Sequence, residues 1–218
     1  MIRLTALLGM VLCASAQALP FQNGSFEVGP PPCTFNIAPG DTSIAGWTVT
    51  APGNIDYVTN GCSWAASDGI GSLDLVGSAA GGIGGITQTF DTVPGRAYVL
   101  SFDLAGNFGG PPVVKPLAVT INGVTTNFTF DTTGATLLAM GWTRRTVAFT
   151  AGGPSSTVTF VSDISGAGGT NAGAALDNVT VAAVVQVSAT PVPLPWAHLA
   201  ALAALALAAA GALSRRRT

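Results

Sequence analysis

The feature that most narrows the fold of this chain is a spacing. Between residues 46 and 181 the apolar residues fall into short runs separated by clusters of Gly, Pro, Asn and Asp. The runs cover 46–50, 55–58, 72–75, 86–90, 97–104, 117–121, 127–130, 143–150, 157–161 and 176–181. None sustains the 3.6-residue period of an amphipathic helix. In the clearest, Tyr98, Leu100, Phe102 and Leu104 share one face while Val99, Ser101, Asp103 and Ala105 share the other. That is the two-residue period of a half-buried strand. Leu117, Val119 and Ile121 repeat it, as do Val147 with Phe149 and Val158 with Phe160. Short strands at this spacing, with turn signals between them, predict an all-β fold with Greek-key or jelly-roll connections. The prolines of residues 29–32 exclude that stretch from a central strand. Residues 81–85, Gly-Gly-Ile-Gly-Gly, read as a flexible loop, because neither a Lys-Ser/Thr pair nor a helix follows to make a phosphate cradle.

The two ends of the 218-residue chain differ from this middle. Arg3, an apolar core over residues 4–12 and the small residues Ala14, Ser15, Ala16 and Ala18 read as a signal peptide over 1–18. Cys13 follows Leu12, not the small residue that lipidation needs. Cys33 and Cys62 then remain as a pair in an oxidising compartment, and a disulfide is expected, contributing on the order of 3 kcal/mol. A β-sandwich domain is assigned to residues 19–187, with a linker and proline motif at 188–195, an apolar helix at 196–213 and a basic tail at 214–218. The helix spans about 27 Å, close to the hydrocarbon thickness of a bilayer. Arg215, Arg216 and Arg217 would hold its end on the cytoplasmic side. Its alanines make the span marginal, which suits a precursor held in the membrane before processing.

Within 19–187 the basic residues are Arg96, Lys115, Arg144 and Arg145, against all ten acids of the chain. A net charge of about −6 argues against nucleic acid, which needs a basic patch. It suits contact with cations or neutral polymers.

The motif Val192-Pro193-Leu194-Pro195, the apolar helix and Arg215–Arg217 resemble the PEP-CTERM class of sorting signals in its VPLPA-like variant, with Trp196 where that variant carries Ala. The resemblance implies recognition by an exosortase and delivery to the cell envelope, surface or extracellular matrix. The middle of the chain resembles the choice-of-anchor C family through NGSFE at 23–27, GWTV at 46–49, IDYV at 55–58, DGIGSLDLVG at 68–77, ITQTF at 86–90, YVLSFDLAGN at 98–107, MGW at 140–142 and ALDNV at 175–179. It is also similar to a group of plant cell-wall proteins. The implied fold is a galactose-binding-like jelly-roll β-sandwich, and the implied partner an extracellular polysaccharide. In galactose-binding-like carbohydrate modules an early Glu and a late Asp ligate a structural calcium, which implies Glu27 and Asp177 here, together with Asp41; oxygen ligands suit Ca²⁺. The competing expectation pairs Glu27 with Arg96 or Arg144 and has Asp177 cap a turn.

Sugar rings stack on aromatic faces and their hydroxyls bond planar amides and carboxylates. Trp47, Tyr57, Trp64 and Trp142, with Asp56, Asn60, Asp68 and Asn107, are the candidates. Trp47 and Trp142 fall in strand-like runs and are expected in the core. Trp64, beside Cys62 in a glycine-rich loop, is expected to be exposed, so Trp64, Asp68 and Asn107 are the ligand-binding expectation. Of Arg144 and Arg145, neighbours on one strand, one must face out. The only histidine, His198, lies in the C-terminal apolar segment, so residues 19–187 contain no imidazole for a hydrolase triad. A non-catalytic, carbohydrate-binding surface protein is the leading expectation. A structural or adhesive protein that contacts other proteins is the alternative.

Overall fold

Each of the apolar runs forms a strand. The computed structural model describes residues 19–185 apart from 51, 79, 80 and 170. The expected signal peptide and everything from 186 on, including the proline motif, the apolar helix and Arg215–Arg217, lie outside the described residues. The first strand, β1 (Thr34–Ile37), follows the proline stretch and was not foreseen from the pattern. The foreseen ten are β2 (Thr48–Val49), β3 (Ile55–Thr59), β4 (Gly71–Asp74), β5 (Ile83–Asp91), β6 (Ala97–Gly106), β7 (Val114–Ile121), β8 (Val124–Asp131), β9 (Thr143–Thr150), β10 (Ser155–Asp163) and β11 (Ala174–Ala183). Apart from a single 3-10 turn at Ser165–Ala167, no helix occurs among the described residues.

The strands build two sheets, one in the order β1-β3-β4-β11-β6-β9 and the other β2-β5-β10-β7-β8. Every pairing is antiparallel. The chain passes between the sheets repeatedly, which makes an all-β jelly-roll sandwich. Its core includes Phe26, Trp47, Leu73, Ile86, Phe102 and Phe160, all buried. Burying each such side chain contributes roughly 1.5–3 kcal/mol. The alternation of β6 holds as written: Tyr98, Leu100, Phe102 and Leu104 are buried, and Val99, Ser101 and Asp103 are half-buried on the outer face.

Three local features depart from the simple pattern. Read along the sequence, Asp177 alternates in phase with Val179 and Val181, which predicts a carboxylate turned toward the core. It instead pairs with Asp103 on the outer face, because a bulge between Asp177 and Thr180 shifts the register. Asn178 takes φ +48 there, a left-handed conformation that Asn tolerates. The glycine run is only partly a loop. Gly81 and Gly82 turn at positive φ, whereas Gly84 and Gly85 are buried in β5. A Cβ on Gly84 would lie 2.1 Å from the Leu75 carbonyl oxygen, and one on Gly85 2.4 Å from that of Phe160. The Cys33–Cys62 disulfide is present and ties the residue before β1 to the β3–β4 loop across 29 positions.

On the outer face of the second sheet the register lines up one residue type across all five strands. Thr48 pairs with Thr87, Thr87 with Thr159, Thr159 with Thr120 and Thr120 with Thr125. The hydroxyls of Thr87 and Thr159 lie 2.8 Å apart, as do those of Thr120 and Thr125. Such cross-strand threonine pairs stabilise a sheet by a few tenths of a kcal/mol or more each, roughly 0.2–1.

Candidate functional site

The expected ligand and metal residues separate into different places. Glu27 is exposed, and its Oε1 accepts from the backbone N–H groups of Ile70 (2.8 Å) and Gly71 (2.9 Å). Asp177 is fully buried; its Oδ2 accepts from the N–H groups of Ser67 (2.7 Å) and Asp68 (2.9 Å) and from the Ser67 hydroxyl (3.0 Å). Both carboxylates therefore hold the β3–β4 loop. Burial pushes the Asp177 carboxyl up to about 6, against the pull of those N–H donors. Asp68 is exposed and accepts from Ser25 Oγ at 2.6 Å. Asp41 lies apart, accepting from the Ser43 N–H at 2.7 Å. Among the described residues no three His, Cys, Asp or Glu side chains form a cation-sized group. One oxygen each of Glu27 and Asp41, and both of Asp177, accept from backbone N–H groups, so the three carboxylates stand in separate hydrogen-bonded settings.

Trp64 departs most from expectation. It is 2 % exposed, and its Nε1 donates to Ser72 Oγ at 3.0 Å, so it offers no ring face to a ligand. The loop around it is rich in Gly and Ser, but the disulfide at Cys62 and the two carboxylates fold that loop down onto the sheet. Trp47 is in the core, as expected. Trp142 is half-buried and donates to the Ala65 carbonyl oxygen at 3.0 Å. Arg144 is the outward-facing member of its pair: its Nη1 donates to Asp103 Oδ1 (3.1 Å) and to the Asn178 carbonyl oxygen (2.6 Å).

Asn107 belongs to a second polar group, at one end of the sandwich. Its Nδ2 donates to Asp74 Oδ2 at 2.7 Å, while Asp74 Oδ1 accepts from the N–H groups of Val76 and Gly173, both at 3.0 Å. One buried carboxyl thus joins the β4–β5, β6–β7 and β10–β11 connections. Desolvation pushes it up to about 7, opposed by those hydrogen bonds. Lys115 is also buried, with Nζ donating to the Gly110 carbonyl oxygen at 2.6 Å. Burial pushes its ammonium down, and the charge of Asp74 opposes that. The alternation of Lys115 with Leu117, Val119 and Ile121 was the one sequence signal that could have located it.

The site with room for a ligand was not foreseen. β8 and β9 are the edges of different sheets, so that side of the sandwich is not closed by hydrogen bonds between them. A cleft of about 500 Å³ opens there, lined by Ile121, Val124, Thr126, Val147, Phe149 and Thr150, with Asn122, Gly152, Gly153 and Ser155 at one end. The Phe149 ring is half-buried and stacked on Tyr98, with centroids 5.4 Å apart and an interplanar angle of 17°. No charged residue lines the cleft. Its walls combine a fixed aromatic ring, aliphatic side chains and hydroxyls, the surfaces a sugar ring can meet through its C–H face and its hydroxyl edge.

The fold is similar to several solved structures. TmCBM61 in complex with β-1,4-galactotriose aligns with a TM-score of 0.48 and 13% identity, over 78% of this chain and 100% of that one. A family 35 carbohydrate binding module from Clostridium thermocellum aligns with a TM-score of 0.43 and 15% identity, over 63% of this chain and 92% of that one. A xylan-binding domain from Paenibacillus barcinonensis aligns with a TM-score of 0.43 and 16% identity, over 70% of this chain and 94% of that one. No curated protein matches the sequence. A family profile described as "Protein of unknown function (DUF642)" matches residues 19–182.

Proposed function

This chain belongs to the DUF642 family, and on that premise we propose that its sandwich is a non-catalytic module that holds a polysaccharide in the β8–β9 cleft. The observation that carries this reading is the lining of the cleft: a fixed Phe149 ring beside hydroxyls, with no charged residue. A pyranose presents the matching pair of surfaces. The extracellular setting is supported by the disulfide between Cys33 and Cys62, since such bonds persist in oxidising compartments.

The ends of the chain complete the proposal. Residues 1–18 act as the export signal, and the Val192-Pro193-Leu194-Pro195 motif, the apolar helix and Arg215–Arg217 act as an exosortase-read tail that holds the precursor in the membrane until it is processed. The delivered domain then resides on the envelope or in the extracellular matrix.

Affinity electrophoresis of the purified chain through gels containing β-1,4-galactan, xylan or cellulose derivatives tests the cleft. At least one neutral glycan is expected to retard the protein. Thr126→Trp fills the cleft from a half-buried position without removing a core contact, and it should abolish the retardation, as should Phe149→Ala. Retardation that survives both substitutions, or none with any glycan, would sink the reading.

A further inference from the structure

Four basic side chains occur among the described residues, and three have partners. Arg144 is engaged with Asp103, the Asn178 carbonyl oxygen and, through Nη2, Thr180 Oγ1 at 2.8 Å. Lys115 donates to the Gly110 carbonyl oxygen. The exposed Arg96 lies over the Tyr98 ring, 6.0 Å from its centroid. Arg145 has no such partner among the described residues, and its Nε is buried without a hydrogen bond.

Its position follows from the register. In the β6–β9 pair Arg145 stands opposite Phe102, just as Val147 stands opposite Leu100 and Phe149 opposite Tyr98. Residues paired in this way share a face, so Arg145, Val147 and Phe149 all lie on the side turned toward the other sheet, at its open edge. Val147 and Phe149 line the cleft; Arg145 is the next residue along the same face.

A guanidinium cannot shed its proton to escape a partly desolvated site. Without a partner it is a standing cost to the folded state. Nor does any carboxylate line the adjoining cleft to compete for it. The fork of guanidinium N–H groups matches the two oxygens of a carboxylate. We propose that Arg145 reads acid on the bound glycan: the polysaccharide carries uronate residues, one carboxylate meets the guanidinium from the open β8–β9 side, and a neighbouring ring lies against Phe149. This rests on the cleft being the glycan site. A local contact is required, because a domain with four basic and ten acidic residues repels polyanions as a whole.

The test compares polygalacturonate, its methyl-esterified form, dextran sulfate and neutral β-1,4-galactan as ligands for the full chain, by titration calorimetry, with Arg145→Gln and Arg145→Lys alongside and unfolding midpoints to verify folding. Polygalacturonate should bind at least tenfold more tightly than its ester. Arg145→Gln should remove that ratio and leave galactan affinity unchanged, and Arg145→Lys should keep part of it. Equal binding of acid and ester by the parent, a ratio that persists in Arg145→Gln, or equal binding of dextran sulfate would overturn the assignment. Neutral glycan binding lost in Thr126→Trp, with no preference for acid, would sink this inference alone. Binding of no glycan at all would sink the cleft reading with it.

Discussion

Asp74 and Asp177 make stability depend on pH in a direction unusual for carboxylates. Both are buried, and burial raises them from 3.8 to about 7 and about 6. Between about pH 4 and 7 the folded state therefore holds protons that the unfolded chain has released. Their favourable contribution is complete below about pH 4 and is lost as pH rises through 6 and 7. Thermal midpoints measured from pH 4 to 8 should fall across that range, and Asp74→Asn should flatten the upper part; a midpoint that climbs toward neutrality would refute this account. Calcium or a chelator should leave the same midpoint unchanged, since Glu27 Oε1 and Asp177 Oδ2 already accept from backbone N–H groups of the β3–β4 loop; a rise with calcium would restore the two as cation ligands. At this scale the sequence was a partial guide. The burial of Trp47 was readable because it sits in a strand pattern, whereas the burial of Trp64 depends on a disulfide and two carboxylates from distant positions. Lys115 broke the apolar alternation of its strand visibly; nothing local marked Arg145 as the inward member of its pair.

Strands were legible because alternation is a local property, and ten of the eleven were placed within a few residues. β1 escaped because its four residues lack an apolar pattern, with only Ile37 buried. The bulge in β11 escaped as well, for it arises from pairing with β6 and not from the run itself. Composition misled at the glycine run, where the lack of side chains serves close backbone approach as well as turning. Gly84→Ala would force its Cβ to 2.1 Å from the Leu75 carbonyl oxygen. Shifting β4 against β5 to relieve this should cost more than about 2 kcal/mol, measurable by urea unfolding; a loss below half of that would show the contact to be slack. Removing the disulfide with Cys33→Ser and Cys62→Ser should cost about 3 kcal/mol. The loss should concentrate in β1 and the β3–β4 loop, which hydrogen exchange would resolve.

At the level of the whole chain, composition sets residues 19–187 apart from the two ends, but nothing in it marks the cleft, which lies where two edge strands from different sheets fail to meet. Intact-mass analysis of protein recovered from its native source should show a chain that begins near Leu19 and lacks the residues after about Pro195. A mass that includes Arg215–Arg217 would remove the processing proposal. The threonine row has a consequence of its own. Acids stand on both flanks: Asp56, Asp103 and Asp177 on the outer face of the β6-containing sheet, and Asp91, Asp131 and Asp163 toward the two ends of the face crossed by Thr48, Thr87, Thr159, Thr120 and Thr125. A negatively charged wall therefore repels both flanks, and neither leads by charge. What the row leaves is a band of hydroxyls between two sets of carboxylates, a strip that water wets without any counterion.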